Sequence, residues 1–285
     1  MTNVVQRALT LDDIPDLIAL SQEVDWPDYN AEELTSLLTN GYFTGFSTAD
    51  GQVISCAGLF QYDRMASIGA VIVSRTHRGL GLARKMIDTL LDQCDQSIPV
   101  FLTATVQGRP VYEKIGFHTA GYITTYKAQN PNQEALRVSD DIYLSPADES
   151  HLPCIEALDE KAAGTNRSSF LKNRMNRAAQ RIIAKNEHHE TTGFAFGVET
   201  PANLMIGPLA ANDELTALSL VRSLISSYSG PIRLDMQEET AERLHESLVE
   251  AGFTKTNKAH FMMIRGKEKL NDPALLYFLA SQAFS

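Results

Sequence analysis

The run Arg78-Gly79-Leu80-Gly81-Leu82-Ala83 constrains this chain more than any other stretch. It follows Ile68-Gly-Ala-Val-Ile-Val73, a nearly all-apolar run that reads as a central, buried strand. After it, Leu82, Met86, Leu90 and Leu91 form the apolar stripe of a helix over about Leu80–Gln93. A helix that starts from a glycine loop presents unpaired N–H groups and its positive dipole end to an anion. The glycines let a phosphate approach the backbone, and Arg78 adds charge. A pyrophosphate suits this loop. A Walker loop would end in Gly-Lys-Ser/Thr, which is missing here. A Rossmann turn would follow the first strand and have a carboxylate at the end of the next one, where Thr103-Ala104-Thr105 stands.

The surrounding pattern places this loop in an α/β unit. A short strand, Val4–Ala8, runs into Thr10-Leu-Asp-Asp13, a helix start with Thr10 as N-cap. Leu17, Leu20 and Val24 continue that helix until Pro27, and a second helix covers about Asn30–Leu38. From Tyr42 the period becomes two, giving strands over Tyr42–Ser47, Gln52–Gln61 and Met65–Val73. Ala49-Asp-Gly and Tyr62-Asp-Arg make the turns between them. Beyond the loop helix come a strand Pro99–Thr103, a short helix through Val111–Ile115 and a strand Phe117–Tyr126.

The second half repeats this order. Polar residues with an Asn-Pro step mark a linker at 131–139, separating a unit 1–130 from a unit 140–285. Ile68-Gly69 and Ile98-Pro99-Val-Phe-Leu have counterparts in Ile206-Gly207 and Gly230-Pro231-Ile-Arg-Leu, and Gly116-Phe117 in Gly252-Phe253. The interval from Ile68 to Pro99 is six residues longer than that from Ile206 to Pro231, and the first copy carries the glycine loop there. Further expectations are a strand Ile142–Leu144, a basic helix over Phe170–Lys185 and a final apolar helix from Asp272-Pro273. Arg174, Arg177, Arg181 and Lys185 share one face of that basic helix, a solvated face or a site for an acidic group.

Composition excludes several partners. A net charge of −10 argues against general nucleic-acid binding, which needs a basic footprint. Residues Met1–Asp13 lack the apolar run of a secretory leader, and no stretch approaches the ~18 apolar residues of a membrane span. A cytoplasmic protein without membrane or nucleic-acid partners is expected. Cys56, Cys94 and Cys154 are far apart and without CxxC spacing, so neither disulfides nor a metal site is expected. His188-His189 reads as exposed.

Past the glycine loop lies Tyr112-Glu-Lys-Ile-Gly116-Phe117. Together the two segments resemble the GNAT superfamily of N-acetyltransferases, whose pyrophosphate loop Gln/Arg-x-x-Gly-x-Gly/Ala is met by Arg78, Gly81 and Ala83. The resemblance covers about residues 4–127. It implies acetyl-CoA held by Arg78, Gly79, Leu80, Gly81, Leu82 and Ala83, with Val71, Ile72 and Val73 splaying from the neighbouring strand to meet the pantetheine arm. Their N–H groups would polarise the thioester carbonyl. A neutral amine then attacks, and Tyr112, in the position of the family's general acid, protonates the leaving thiolate.

Two departures stand out. Thr105 replaces an Asn common in the family, and Gly69-Ala70 stands where some members place a glutamate base. Asp25, Asp28 and Asp63 are base candidates by region, with water as the other carrier of the proton. Trp26, Asp28 and Tyr29 fall in the segment that lines the family's acceptor pocket.

In the second half, Leu158-Asp159, Gly164-Thr-Asn-Arg167 and Ile206-Gly-Pro-Leu-Ala210 resemble the C-terminal domain of tandem GNAT proteins, which lacks the loop and shapes the acceptor site. The expectation is an α/β fold (α+β, mixed sheet) of two GNAT-like domains, each a mostly antiparallel twisted sheet flanked by helices. The expected activity is acetyl transfer to the primary amine of a small molecule by a monomer or homodimer. A non-catalytic CoA-binding regulatory module and a protein-lysine acetyltransferase remain as alternatives.

Overall fold

The computed structural model describes residues 4–139, 141–266 and 270–283. The first half comprises β1 (Val5–Ala8), α1 (Ile14–Glu23), α2 (Ala31–Asn40), β2 (Tyr42–Ser47), β3 (Val53–Gln61), β4 (Ala66–Val73), α3 (Leu82–Gln93), β5 (Val100–Ala104), α4 (Arg109–Ile115) and β6 (His118–Gln129). The second half repeats the order with β7 (Tyr143–Pro146), α5 (Leu152–Ala163), α6 (Ser168–Arg177), β8 (Gln180–Lys185), β9 (Thr191–Glu199), β10 (Leu204–Ala211), α7 (Glu214–Ser226), β11 (Pro231–Gln237), α8 (Glu238–Glu250) and β12 (Thr254–Ile264). A last short strand, β13 (Leu276–Phe278), has no counterpart in the first half.

The repeat extends to hydrogen-bond register. Parallel pairing of β4 with β5 ends at Ile68–Leu102, and that of β10 with β11 ends at Ile206–Leu234. The connection from β4 to α3 takes residues 74–81, whereas residues 212 and 213 suffice between β10 and α7. The six-residue difference therefore falls at the glycine loop.

The two halves form one sheet, ordered β1-β2-β3-β4-β5-β12-β6-β11-β10-β9-β8-β7, and they do so by exchanging their last strands. β12 lies on β5, with His260 opposite Ala104, while β6 lies on β11, with Ile123 opposite Gln237. β6 and β12 pair with each other at the centre. Among the described residues every pairing apart from β4–β5 and β10–β11 is antiparallel, giving the mixed sheet expected.

One core packs residues of α1, α2, α5 and α6 together, including Leu17, Leu37, Ile155 and Phe170. Residues of α3 with the first half's strands, and of α7 and α8 with the second's, form two further cores. Burial in the shared core cannot be completed by either half alone, which favours the joined sheet.

Local rules explain most boundaries. Asp13 Oδ2 accepts from the Thr10 N–H at 2.8 Å, closing the start of α1, and Asp148 N–H meets His151 Nδ1 at 3.2 Å at the equivalent place in the second half. Gly116 and Gly164 end α4 and α5 in the left-handed region.

Two expectations are corrected. The basic helix over Phe170–Lys185 stops at Arg177, and Gln180–Lys185 is strand β8, because β7 and β9 flank it and bury Ile183 and Ala184. Arg174 is buried and donates to Gly207 O (3.1 Å) and Ala280 O (2.6 Å), so the four basic residues share no solvated helical face. The final helix from Asp272-Pro273 is absent. Asp272 opens a turn, with Leu275 and Leu276 N–H both reaching its carbonyl, and the apolar run enters the sheet as β13. In both places a vacant position beside a strand overrides helical preference. Cys56 and Cys94 are buried, Cys154 is half-buried, and His188 and His189 are exposed as expected.

Asp159 and Arg167, singled out in the sequence, form a buried two-point pair of 2.6 and 2.8 Å, with the guanidinium 5.4 Å from the centre of the Phe170 ring. Removing one partner strands the other charge without solvent. Asp159→Ala is expected to lower unfolding stability by about 3–5 kcal/mol, read from urea denaturation; a loss below about 1 kcal/mol would contradict this account.

Candidate active site

The site begins where β4 and β5 part. Beyond Ile68–Leu102 the two strands no longer pair, so the β5-facing backbone of Gly69–Val73 opens into a wedge. The splay anticipated for Val71–Val73 is thus present. A bulge sharpens it. The register of β4 on β3 shifts between Cys56 and Gly58, and Ala70 takes a φ of 51°, outside the usual range for a side-chain-bearing residue. Cys56 Sγ donates to Ala70 O at 3.2 Å, and burial pushes that thiol up to about 12, so it packs as a neutral group.

The glycine loop stands at the mouth of the wedge. Gly81 caps α3 with φ 73°, a left-handed conformation that favours glycine. The first turn of α3 carries no acid, and Arg78, Gly79, Leu80 and Gly81 are exposed around its N–H groups. Arg78 Nε turns back toward Val73 O at 3.4 Å, tying the loop to the strand end. Leu82 is buried below and Ala83 half-buried, which fixes the helix start against the core. These residues fit a pyrophosphate by their chemistry: free N–H groups, a dipole end and a cation.

The equivalent position in the second half is built oppositely. Asp213 caps α7 by accepting from Thr216 N–H at 2.8 Å, and Glu214 follows. Its N–H donors are partly satisfied and its charge is negative. It repels phosphate.

Tyr112 lies in the core that α3 shares with the first half's strands. It projects from α4 and is 7% exposed, edge-on to Phe117 at 6.1 Å between centroids. Burial alone raises its phenol to about 12. Thr105 Oγ1 accepts from Gly108 N–H at 3.1 Å and caps the turn into α4. Gly108 sits against both side chains, for a methyl on it would stand 3.3 Å from Thr105 Oγ1 and 3.6 Å from the Tyr112 hydroxyl. The threonine at the Asn position therefore keeps a hydroxyl in the tyrosine's corner.

Residues 21–127 and 155–278 each match the family described as acetyltransferase (GNAT) domain. The chain is 35% identical over 267 residues to the uncharacterized N-acetyltransferase YitH of Bacillus subtilis (strain 168), covering 94% of this chain and 93% of that protein. The chain belongs to the GNAT N-acetyltransferases. The crystal structure of a putative acetyltransferase from Pyrococcus horikoshii superposes with a TM-score of 0.82 at 18% identity, covering 100% of this chain and 97% of that one. A tandem GNAT protein from the clavulanic acid biosynthesis pathway follows at 0.68 and 11% identity, covering 93% and 100%. This tandem GNAT chain is an acyltransferase. Among its described residues no helix is long and apolar enough to cross a membrane.

Asp28, between Trp26 and Tyr29, is held by the second half. Trp26 and Tyr29 pack 5.9 Å apart against the shared core. Asp28 pairs with Arg233 Nη1 at 2.8 Å and accepts from Thr200 Oγ1 (2.9 Å) and Asn203 Nδ2 (3.1 Å), all across the pseudo-twofold. Asp63 makes the reciprocal contacts, accepting from the Thr165 hydroxyl and from Asn166 N–H, which hold its carboxyl below the usual range. Asp25 is exposed and pairs with Arg75. Each proposed base is therefore engaged elsewhere.

Sequence reasoning missed Glu23 and Arg233. Glu23 Oε1 accepts from Arg75 N–H at 2.5 Å and Ser74 Oγ at 3.1 Å, anchoring the start of the loop to α1. Arg233 also has Nε 2.9 Å from the buried Asp235 Oδ2. Both act over long sequence distances, which no local motif signals.

Arg233→Met removes the clasp on the segment between α1 and α2. With charged hydrogen bonds contributing about 1.5–3 kcal/mol, the amides of Trp26, Asp28, Tyr29 and Asn30 should exchange roughly 10- to 100-fold faster while those of α7 hold. Unchanged exchange at 26–30 would show that the clasp does not restrain the segment.

Proposed function

We propose that this protein transfers the acetyl group of acetyl-CoA directly to the primary amine of a small molecule, with the donor in the first half and the second half shaping the acceptor side. The observation that supports this most is the unpaired wedge beyond Ile68–Leu102, with the Gly81-capped helix at its mouth.

In this reading Arg78, Gly79, Leu80, Gly81, Leu82 and Ala83 hold the pyrophosphate, and Val71, Ile72 and Val73 hold the pantetheine arm. Acetyl-CoA supplies the activated acyl group as a thioester. Backbone N–H groups of the open strand offer donors to the carbonyl oxygen as negative charge develops there. The neutral amine forms the C–N bond as the C–S bond breaks. Its surplus proton leaves to solvent, because Asp25, Asp28 and Asp63 are otherwise bound. Tyr112 gives its proton to the departing sulfur and regains one afterwards. A phenol raised to about 12 retains that proton throughout the working range, and the transfer is favourable only where the thiolate is desolvated as well.

Trp26, Asp28 and Tyr29 border the acceptor approach, and the grip of Arg233, Thr200 and Asn203 on Asp28 narrows it. That narrowing supports a small-molecule acceptor over a peptide.

Calorimetric titration with acetyl-CoA tests the donor site. Wild type should bind, and Gly81→Glu, which adds bulk, charge and a strained φ, should not; binding by both proteins would move the site elsewhere. Free-thiol release with a panel of amines then tests transfer. Tyr112→Phe should lower kcat by ~100- to ~10,000-fold with the acetyl-CoA Kd unchanged, and an unchanged kcat would remove Tyr112 from the chemistry. In pH–rate profiles of the wild type, kcat/KM should rise as the amine loses its proton. Since burial raises the phenol, no fall attributable to Tyr112 should occur below about pH 12; a fall centred near pH 10 that Tyr112→Phe abolishes would contradict its burial.

A further inference from the structure

The segment after Asp272 crosses both halves. β13 pairs with β10, and Leu279 N–H donates to Asp235 O on β11 at 2.8 Å. It thereby fills the wedge that opens beyond Ile206–Leu234, the second half's counterpart of the donor cleft. Gly207 permits this, since any Cβ there would collide with the Leu279 carbonyl. The chain then continues toward the first half. Ala280 O takes the Arg174 Nη2 bond of 2.6 Å, and Gln282 Nε2 donates to Asp235 Oδ1 (3.0 Å) and Thr125 Oγ1 (3.2 Å).

Four residues after Leu279, Ala283 repeats the contact on the equivalent glycine of the first half. Ser67 Oγ donates to Ala283 O at 3.0 Å, and a Cβ on Gly69 would stand 2.6 Å from Ala283 Cβ and 2.7 Å from its Cα. Gly69 immediately precedes the Ala70 bulge at the opening of the β4–β5 wedge. Ala283 belongs to the shared core, the same core that Trp26 and Tyr29 pack against. A side chain at position 69 has no room, which explains why no carboxylate base stands there.

We propose that Ala283 is a specificity-determining residue of the acceptor site, forming its wall opposite Trp26 and Tyr29 and limiting the bulk allowed beside the attacking nitrogen. This rests on the transferase reading above. The acceptor class it selects is a primary amine on an unbranched carbon. A branch at that carbon would meet Ala283, which cannot retreat, because its carbonyl is bonded to Ser67 and the preceding Gln282 to Asp235.

The test is a comparison of wild type, Ala283→Gly and Ala283→Leu with paired amines, one unbranched and one α-branched, together with the Kd for acetyl-CoA. Ala283→Gly should raise the branched-to-unbranched ratio of kcat/KM by about tenfold, and Ala283→Leu should raise KM for both amines by at least about tenfold, the scale of one or two methylene groups in a pocket. Acetyl-CoA Kd should stay within about twofold for both variants. If Ala283→Leu does not fold, the ratio for Ala283→Gly decides. An unchanged ratio in an active Ala283→Gly enzyme overturns the wall while leaving the transferase reading intact. A wild type that binds acetyl-CoA yet releases no thiol with any amine overturns both.

Discussion

The β6–β12 ladder at the centre of the sheet is the contact on which everything else depends. Each half lends its last strand to the other, so β12 supports β5 and β6 supports β11. Neither half therefore owns a complete sheet. The segment between α1 and α2 is gripped by the hairpin between β9 and β10, and the segment between α5 and α6 by the hairpin between β3 and β4. The segment around Asp28 in the first half is thus held by residues of the second, with Arg233 paired to Asp28 at 2.8 Å.

The two halves share one plan and differ at their wedges. Both halves keep the same strand register and the same three-residue parallel pairing before their wedges open. One wedge faces a glycine-capped helix without acid in its first turn; the other faces Asp213 and Glu214 and is filled by the chain's own β13. Filling matters energetically as well. An empty wedge would expose strand edges, and pairing them with internal backbone satisfies their N–H and C=O groups.

How much of this was legible in the sequence depended on range. The loop Arg78–Ala83 and the repeated Ile-Gly pairs follow from local periodicity and turn chemistry, and the structure places them at one wedge and its counterpart. Two segments were misread. Ala178–Lys185 and Ala274–Ala280 carry helix-compatible residues, but each lies beside an unpaired strand edge whose existence depends on residues far away. Strand exchange was invisible for the same reason: β6 has an identical alternation whether its partner is β5 or β11. Asp28, readable as a pocket residue or a base, is instead committed to Arg233, a partner 205 positions away.

The exchange also bears on how the chain is made. During synthesis from the N-terminus, β5 and β6 emerge long before β11 and β12, and His260 pairs with Ala104 across 156 positions. A nascent first half therefore holds out strand edges that it cannot close by itself, and such edges are sticky. Closure waits on translation of the last quarter of the chain, and the high sequence separation makes that closure slow. On the ribosome, the first half is an unfinished sheet in need of shelter until its own continuation arrives to complete it.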